Sequence, residues 1–457
     1  MHPIPQSVAM LAAISVLAAG PARAQGFSVN EHDACTMARG GAGVARPCGG
    51  GAAAWYNPAG LVGEPGVQAT AGLTFIKPAG GFTDDVSGQT TDLEDILALV
   101  PNAYVRWGVQ PNLALGLSVT VPYGLEIGWP LTFNGRFSAY KTALHSIYIQ
   151  PTVAYDLMGI LSVGGGLDVV ISTVDLSQRN DAGELLGEFG IPIYTDFANA
   201  ELSASGTGVG FNLGAQVKFW ERLALGVRYL HRVKITYDGD AVFTQISTGI
   251  VLPANNPLGL VLGLGSGPLS LDAVLASQFE SGGALASGPA MTEITMPGQL
   301  QIGLAWNVVD PLVLFADYHR QNWNVFDVLT LDFESATTPD IVLIEGYENT
   351  HGVRLGGEYA VSETTRLRAG FLWHSAAAPS ATVTPLLPEG ERQEYTAGVG
   401  FRLFQRARAD VAYQYLLQQK RRGRLIEAPP GVNGALLNSG LYEFKGHLLG
   451  VNLTYAF

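Results

Sequence analysis

Long apolar runs and charged residues are both scarce in this chain. No segment reaches the roughly 18 uninterrupted apolar residues that a membrane-spanning helix needs. Only 14% of the residues are charged, against about a quarter in ordinary soluble proteins, although 47% are hydrophobic. These scarcities exclude a helical membrane protein and disfavour an ordinary soluble domain. A sheet whose strands expose apolar side chains on one face would reconcile low charge with high hydrophobicity.

The chain also lacks the short motifs of common enzyme and cofactor sites. It contains no Gly-x-Ser-x-Gly, His-x-x-x-His or Cys-x-x-Cys, and Gly41-Ala42-Gly43 lacks the third glycine of a dinucleotide site. The net charge of −13 excludes nucleic acid as a favoured partner, because nucleic-acid sites are basic. The sequence therefore predicts no catalytic site, no cofactor and no metal, with a barrel-shaped hydrolase as a rival class.

Residues 1–24 have the features of an export signal. The apolar stretch 10–20 is too short to span a bilayer, and Ala22-Arg23-Ala24 follows it with a small-x-small pattern. We expect cleavage after Ala24 and a mature chain that begins at Gln25. In an exported protein the only two cysteines, Cys35 and Cys48, can form a disulfide. The alternative is a pair of buried thiols.

The carboxy-terminal segment has a two-residue period. In 449–457 the odd positions are Leu, Val, Leu, Tyr and Phe, and the even positions are Gly, Asn, Thr and Ala. This alternation is typical of a strand with one face in lipid and the other in a barrel interior. A terminal Phe457 on such a strand is also the feature by which barrel-assembly machinery recognises its clients.

Alternating runs recur from residue 67 onward and predict an all-β protein, a transmembrane antiparallel β-barrel of fourteen strands. The connectors between the runs are short and long in turn, which is the pattern of periplasmic turns and extracellular loops. An even number of strands in a closed ring leaves no unpaired edge in lipid. A soluble β-sandwich is the weaker alternative. The predicted strands are 67–77, 102–109, 112–121, 144–157, 161–175, 207–219, 222–238, 297–307, 312–332, 348–360, 365–376, 392–404, 408–418 and 441–457.

The order of several short motifs resembles one family. Gln25-Gly26-Phe27 opens the mature chain, Asn57-Pro58-Ala59 ends its Gly- and Ala-rich leading segment, and Pro122-Tyr123-Gly124 follows the third strand. Trp323 and the terminal Tyr455-Ala456-Phe457 continue the match. In these features the chain resembles the FadL/TodX family of outer-membrane transporters for long-chain fatty acids and other hydrophobic compounds.

The resemblance implies a domain organisation and a route for ligand. Residues 25–66 would form an N-terminal plug inside the barrel, and residues 67–457 would form the barrel itself. Ligand would be caught on the extracellular loops, pass to an interior pocket that includes Phe27 and Trp323, and leave sideways at a kink of the third strand. Asn57, Pro58 and Ala59 would belong to the plug, and Pro122, Tyr123 and Gly124 to the gate.

The loop 239–296 is longer than a connector needs to be, and long loops usually have a function. It holds the apolar run 258–264, and Ser270 could cap a short helix that carries Leu275 and Phe279. An exposed apolar patch of this kind indicates a binding groove, and the alternative is a lid packed on itself. The groove residues we expect are Leu260, Leu262, Leu264, Leu275 and Phe279.

Pro122 and Gly124 fit a strand that kinks, because proline donates no ladder hydrogen bond and glycine permits a sharp bend. An ordinary strand end is the alternative reading.

A cation pair for a carboxylate is incomplete in this sequence. Fatty-acid members of the family place one basic residue near the end of the fifth strand and another on the ninth. Arg179 would supply the first, with Gln178 competing for the position, but Thr330 stands at the second. Because a buried carboxylate needs cationic partners, we expect a neutral or aromatic cargo.

The expected partners follow from this reading. They are a hydrophobic small molecule, outer-membrane lipid and lipopolysaccharide, and barrel-assembly machinery during biogenesis. We expect a monomer in the outer membrane of a Gram-negative bacterium. A non-transporting adhesin or phage receptor is the alternative function.

Overall fold

Period-two alternation along the chain builds a closed ring of fourteen antiparallel wall strands. The computed structural model describes residues 26–423 and 440–457, apart from 64, 86, 220 and 221. Each wall strand pairs with the next along the chain, and the last pairs with the first from Gln68↔Ala456 to Asp84↔Gly440. The fold class predicted from the sequence is confirmed. The predicted export signal and its cleavage site lie outside the described residues.

The wall strands are numbered in chain order, and the seventh, eighth and ninth each consist of two shorter β-strands. The wall consists of β1 (Gly66–Asp84), β3 (Ala98–Gln110), β4 (Leu113–Gly128), β5 (Lys141–Leu157), β6 (Leu161–Asp181), β7 (Asp196–Phe219), β8 (Leu223–Leu230) with β9 (Val233–Gln245), β12 (Gly288–Met296) with β13 (Gln299–Val309), β14 (Leu312–Gln321) with β15 (Val328–Phe333), β17 (Thr350–Ala360), β18 (Thr365–His374), β19 (Arg392–Phe404), β20 (Ala407–Gln418) and β22 (Gly440–Ala456). The loops carry β2 (Thr90–Asp92), β10 (Val251–Leu252), β11 (Leu269–Ser270), β16 (Ile341–Ile344) and β21 (Arg421–Gly423).

The helices are short and lie off the wall. They are α1 (Ala34–Ala38), α2 (Ala53–Tyr56), α3 (Ala182–Leu186), α4 (Pro257–Val261) and α5 (Leu271–Leu275), with 3₁₀ turns at Pro58–Leu61, Asn134–Phe137, Gly187–Phe189, Ala276–Phe279 and Trp323–Val325. None of the described helices has the length and apolar character to cross a bilayer.

The strand facing follows the alternation in the sequence. On β22, Leu453 is 54% exposed on the outer face, whereas its neighbour Asn452 is 1% exposed inside the ring. Apolar side chains thus cover the outside, and polar side chains such as Arg228 and Asp410 are buried inside. A lipid-facing exterior with a polar interior is the arrangement of an outer-membrane barrel.

Three wall strands are interrupted at a common level. The eighth stops at Met296 and resumes at Gln299, because Pro297 lacks the N–H that a ladder needs. The seventh breaks between Leu230 and Val233, where the sequence predicts one unbroken strand. The ninth breaks between Gln321 and Val328, and a 3₁₀ turn fills the gap. Single strands over 222–238 and 312–332 are therefore wrong, and the predicted 297–307 begins too late.

The connectors divide the barrel into two ends. The short connectors, such as 158–160 and 361–364, lie at one end, which we call the short-connector end. Segments such as 129–140, 246–287 and 375–391 lie at the other, the long-loop end. Most of the predicted loop 419–440 falls outside the described residues.

Residues 26–62 lie inside the ring, and we refer to this segment as the plug. Its backbone donates to inward side chains of the wall, from Ala34 N to Asn452 Oδ1 (2.8 Å) and from Gly43 N to Asp317 Oδ2 (2.8 Å). Arg39 forms an ion pair of 2.7 Å with Glu358. Cys35 and Cys48 are joined by a disulfide within the plug.

Inward-facing glycines of the wall let the plug come close. A Cβ placed on any of these glycines would lie within 2.6 Å of a plug atom, except at Gly303, where the distance is 2.9 Å. A larger residue would therefore push the plug away. The glycines are Gly164, Gly214, Gly226, Gly303, Gly356, Gly370 and Gly398.

Candidate functional site

The wall has a gap between its second and third strands. β3 and β4 pair only from Ala103↔Val119 to Gln110↔Leu113. Beyond Thr120, β4 carries a bulge that shifts its register against β5. The connector that precedes β3 then meets the far end of β4, where Glu94 N donates to Gly128 O (2.9 Å). Residues 95–102 and 120–127 therefore frame an opening that faces the membrane.

The start of the plug takes up the freed edge of β4. Val29 N donates to Pro122 O (2.9 Å), Gly124 N donates to Phe27 O (3.0 Å), and Ser28 forms a bridge with Tyr123. Because Pro122 has no N–H, β4 cannot pair regularly there, and its segment turns toward the interior. The structure thus brings the predicted gate residues Pro122, Tyr123 and Gly124 together with Phe27.

Tyr123 fixes the kinked segment from its other side. Its hydroxyl donates to Pro297 O (2.6 Å) and accepts from Gln299 Nε2 (3.0 Å). Tyr123 is fully buried. The break in the eighth wall strand thus supplies the carbonyl that holds the kink of the third.

A cavity of about 210 Å³ lies directly behind the gap. Its walls are mostly apolar, but charged groups such as Glu31, Glu389 and Arg392 also line it. Apolar side chains that line it include Phe27, Leu99, Leu125, Ile127, Leu387 and Phe444.

A second, smaller cavity of about 50 Å³ lies deeper inside the barrel. Aliphatic and aromatic side chains line it, apart from Thr142 and Thr292. Phe27, Leu125 and Leu387 line both cavities and form the partition between them. Their side chains therefore decide whether the two spaces connect.

Aromatic rings position the partition. The Phe27 ring packs edge-on against Trp323 (4.6 Å between centroids) and Phe326 (5.5 Å). Trp323 turns inward because it lies in the 3₁₀ turn that interrupts the ninth wall strand. It also abuts Gly26, where a Cβ would lie 2.6 Å from the Trp323 ring.

Glu389 ties a long loop to the start of the plug, a role that sequence reasoning missed. Its carboxylate is fully buried and accepts from Gly26 N (2.8 Å), Ala377 N (3.0 Å) and Ala378 N (3.0 Å). Burial raises the pKa of Glu389, against the effect of these backbone donors. A lone acidic residue in a loop has no pattern that would predict such contacts.

A surface groove of about 440 Å³ lies among the long loops. Of the expected groove residues, Leu262 and Leu275 line it, whereas Leu260 and Leu264 are 58% and 56% exposed and lie outside it. Phe279 packs against Phe197 beside the groove. Ser270 precedes α5 but makes no side-chain capping bond.

Asp272 holds the loop that carries this groove. It accepts hydrogen bonds from Ser247 Oγ (2.6 Å) and from Thr248 N (2.8 Å) and Oγ1 (2.7 Å). Partial burial acts to raise the pKa of Asp272, but these bonds outweigh it and lower the pKa to about 2. The ionised carboxylate therefore stabilises the loop at neutral pH.

The structure corrects the expected position of Thr330 in a ligand pocket. Thr330 is exposed on the outer face of β15, while its neighbours Leu329 and Leu331 face inward and line the inner cavity. Odd-numbered residues face inward both before the break, as at Asp317 and His319, and after it, so the even-numbered Thr330 faces outward. Arg179 stacks over the Tyr140 ring (5.6 Å) and does not line the groove, whereas Gln178 does.

The Asn57-Pro58-Ala59 turn rests on the fifth and sixth wall strands. Asn57 Nδ2 donates to Val44 O (2.8 Å) and Ala215 O (3.0 Å), and its Oδ1 accepts from Ala59 N (3.1 Å). Asn57 therefore joins two parts of the plug to the wall with one side chain.

Comparison with known proteins identifies the family. A family model described as outer membrane protein transport protein (OMPP1/FadL/TodX) matches residues 15–457. The chain belongs to this family. A long-chain fatty acid transport protein of Escherichia coli is 25% identical over 463 residues, covering 98% of each chain. Outer membrane protein P1 of Haemophilus influenzae is 22% identical over 490 residues, with 98% of each chain covered.

Solved structures of this family share the fold. A Pseudomonas aeruginosa FadL homologue has a TM-score of 0.77 at 20% identity, covering 95% of this chain and 100% of its own. The Pseudomonas putida toluene transporter TodX has a TM-score of 0.69 at 17% identity, covering 94% and 99%. Family and fold together place the chain in the outer membrane of a Gram-negative bacterium.

Proposed function

We propose that this protein is a passive outer-membrane channel for hydrophobic small molecules and not an enzyme. One observation carries the proposal: the partition formed by Phe27, Leu125 and Leu387 separates an apolar inner cavity from a cavity that opens at the gap in the wall. Burial of apolar surface favours entry by roughly 25 cal/mol per Å², whatever the head group of the ligand. Long-chain fatty acids and aromatic hydrocarbons are the candidate cargoes, because relatives in the family are named for them.

The proposed route has three stages. The groove among the long loops captures the ligand, the inner cavity receives it, and displacement of Phe27 admits it to the cavity behind the gap. The frame formed by 95–102 and 120–127 then lets it pass sideways into the bilayer. The plug supports this route, because the disulfide and the contacts of Arg39 and Asn57 oppose a straight exit to the periplasm.

The cargo we favour is neutral or aromatic. No cation lines the inner cavity, and neither Arg179 nor Thr330 points into it. A buried carboxylate without a paired cation is costly. Neutral ligands should therefore bind at least as well as carboxylates of equal apolar size.

The wider setting is also part of the proposal. The aromatic end of β22 at Phe457 suits recognition by barrel-assembly machinery, and the outer face suits contact with lipid and lipopolysaccharide as a monomer. The alternative of an adhesin or phage receptor has no observation in its favour.

A matched pair of tryptophan substitutions tests the channel. A Cβ on Gly124 meets only ordinary contacts, the nearest 3.4 Å away at Val29, so Gly124→Trp places an indole in the cavity behind the gap. Gly357→Trp is the control, because Gly357 faces outward and its Cβ would lie 3.6 Å from Leu314.

Uptake of a labelled long-chain fatty acid and of an alkane is measured in cells that depend on this protein. Gly124→Trp should reduce the uptake of both by at least about tenfold at equal surface expression, while Gly357→Trp leaves it unchanged. Equal uptake by the two variants would refute the passage, and a strong preference for the fatty acid would refute the neutral cargo.

A further inference from the structure

The outward face of the wall carries basic side chains at one end only. On the described wall strands, every Lys, Arg or His that faces outward by the alternation lies at the long-loop end, as Lys77, Lys234, Arg320 and His351 do. At the short-connector end the basic side chains of these strands, such as Arg402, face the interior. With a net charge of −13, the chain has no general basic character that would produce this order.

Two arginines and a histidine form one patch at the break in the wall. Arg320 stands directly opposite His351 on the neighbouring strand. Arg232 lies at the break between β8 and β9, where its N is 3.3 Å from the position a Cβ would take on Gly298. Gly298 lies on the eighth wall strand, between the two arginines. Because glycine has no side chain, the outer surface at Gly298 is left open.

Both arginines are exposed and available to a ligand. Neither Arg232 nor Arg320 has an ion pair or side-chain hydrogen bond with another described residue. By contrast, the nearby Lys234 pairs with Glu293 at 2.6 Å. The patch therefore holds cations that the protein itself does not neutralise.

Aromatic side chains fix the level of this patch on the membrane. Tyr229 and Tyr318 face outward just below it and bond through their hydroxyls to His231 and His351. Below them the wall is apolar, for example at Val227, which is 40% exposed. Aromatic girdles mark the edges of the hydrocarbon region in such barrels, so Arg232 and Arg320 lie just above the outer edge.

We propose that Arg232, Arg320 and His351 form a binding site for the phosphate groups of lipopolysaccharide in the outer leaflet. Arginine presents several donors in a fixed plane, and this geometry suits phosphate oxygens. The tyrosines below offer flat apolar faces to the glycolipid. The patch lies on the seventh to tenth wall strands, well away from the gap between the second and third, so an occupied site leaves the gap clear.

The test compares lipids and variants with the full-length protein in detergent. Deep-rough lipopolysaccharide, the same glycolipid with its phosphates removed, and phosphatidylglycerol are each titrated in the presence of EDTA. The variants are the double substitution Arg232→Gln with Arg320→Gln, the charge-preserving pair Arg232→Lys with Arg320→Lys, and Arg402→Gln as a control at the opposite end. Thermal midpoints establish that each variant is folded.

The site predicts a specific pattern. Each basic residue near an anionic lipid surface contributes about fivefold, so the double Gln variant should bind lipopolysaccharide about thirtyfold more weakly. The Lys pair should lose less than about fivefold, and Arg402→Gln should bind as the native protein does. Native protein should bind the dephosphorylated glycolipid and phosphatidylglycerol much more weakly.

Three results would overturn the proposal. They are unchanged binding by the double Gln variant, equal binding of phosphorylated and dephosphorylated glycolipid, and loss of native binding in EDTA, which would assign the contact to divalent ions on acidic residues. Equal binding of phosphatidylglycerol would reduce the patch to a general anionic surface and would also count against it. The lipid comparison with native protein decides the matter even if a variant fails to fold.

Discussion

An alanine at Gly214 or Gly164 should displace the plug while leaving the barrel intact. A Cβ on Gly214 would lie 2.1 Å from Asn57 Oδ1 and 2.8 Å from Pro58 Cδ. A Cβ on Gly164 would lie 2.6 Å from the Pro58 carbonyl carbon. Contacts this short require the Asn57-Pro58-Ala59 turn to move, because the obstructing atoms belong to the plug backbone or to a side chain that it anchors.

The magnitude follows from two costs. Overpacking of a filled interior costs about 1–3 kcal/mol. Each Asn57 hydrogen bond that breaks, to Val44 O or Ala215 O, costs about 1 kcal/mol more. A total of about 3 kcal/mol would raise the population of the displaced plug by about a hundredfold, since 1.4 kcal/mol is tenfold.

Conductance across a planar bilayer measures plug displacement directly. Gly214→Ala and Gly164→Ala should both raise the frequency of open events and speed tryptic cleavage after Arg39. Gly357→Ala is the matched control, because its Cβ would face outward at 3.6 Å from Leu314. If both interior variants are as closed and as protease-resistant as the native protein, the glycine contacts do not hold the plug and the reasoning fails.

Three further predictions concern orientation, the disulfide and the loops. A cysteine at Val261, which is 72% exposed at the long-loop end, should react with an impermeant thiol reagent on intact cells, while one at Met158, 92% exposed at the other end, should not; the reverse pattern would invert the barrel. The oxidised protein should be two hydrogens lighter than the reduced protein, and equal masses would exclude the disulfide. Replacing Cys35 and Cys48 with serine should speed proteolysis of the plug, because a disulfide that closes a loop of about 15 residues contributes about 3 kcal/mol to stability. The pKa of Asp272 is lowered from 3.8 to about 2, so the stabilisation that its carboxylate gives the loop is complete above about pH 4 and is lost as the pH falls through 2. Amide hydrogen exchange in the loop should be faster in Asp272→Asn than in the native protein at pH 7, and the two rates should become equal only at the acid end. Identical exchange at pH 7 would contradict this role.

The sequence was sufficient for the ring but not for its irregularities. Alternation in segments such as 449–457 determines which face meets lipid, so strand number and facing could be predicted. The break at Pro297 has a local cause, but the residue that binds its carbonyl, Tyr123, is far away in the chain, and the segment 322–327 contains no proline that would mark its break. An alternation counted through the break at Pro297 assigns the wrong face to one half of the strand, because even-numbered residues face inward up to Met296 and odd-numbered ones from Gln299. Thr330 was placed by comparison with a family position and not by alternation.

The site could be predicted only where local chemistry controls it. Pro122 and Gly124 indicate a kink by themselves, because their backbone limits are intrinsic. The role of Glu389 and the close approach at Gly164 and Gly214 arise from residues far apart in the chain. A single sequence gives the composition of these contacts but not their partners.

Bridging the gap tests the lateral route most directly. The chain has two cysteines, both in the plug disulfide, so engineered pairs are the only reactive thiols. One pair, Leu99→Cys with Ile127→Cys, lines the cavity from the two sides of the gap. The control pair, Val105→Cys with Leu117→Cys, joins the same two strands where they are already paired.

Each cysteine pair is cross-linked with a short, cleavable reagent that carries two thiol-reactive groups, and uptake of a labelled alkane is measured before and after the cross-link is cleaved. The linked 99–127 pair should take up the alkane at least about tenfold more slowly than the linked 105–117 pair, and cleavage should restore the rate. Full uptake through a completely linked gap would contradict lateral release.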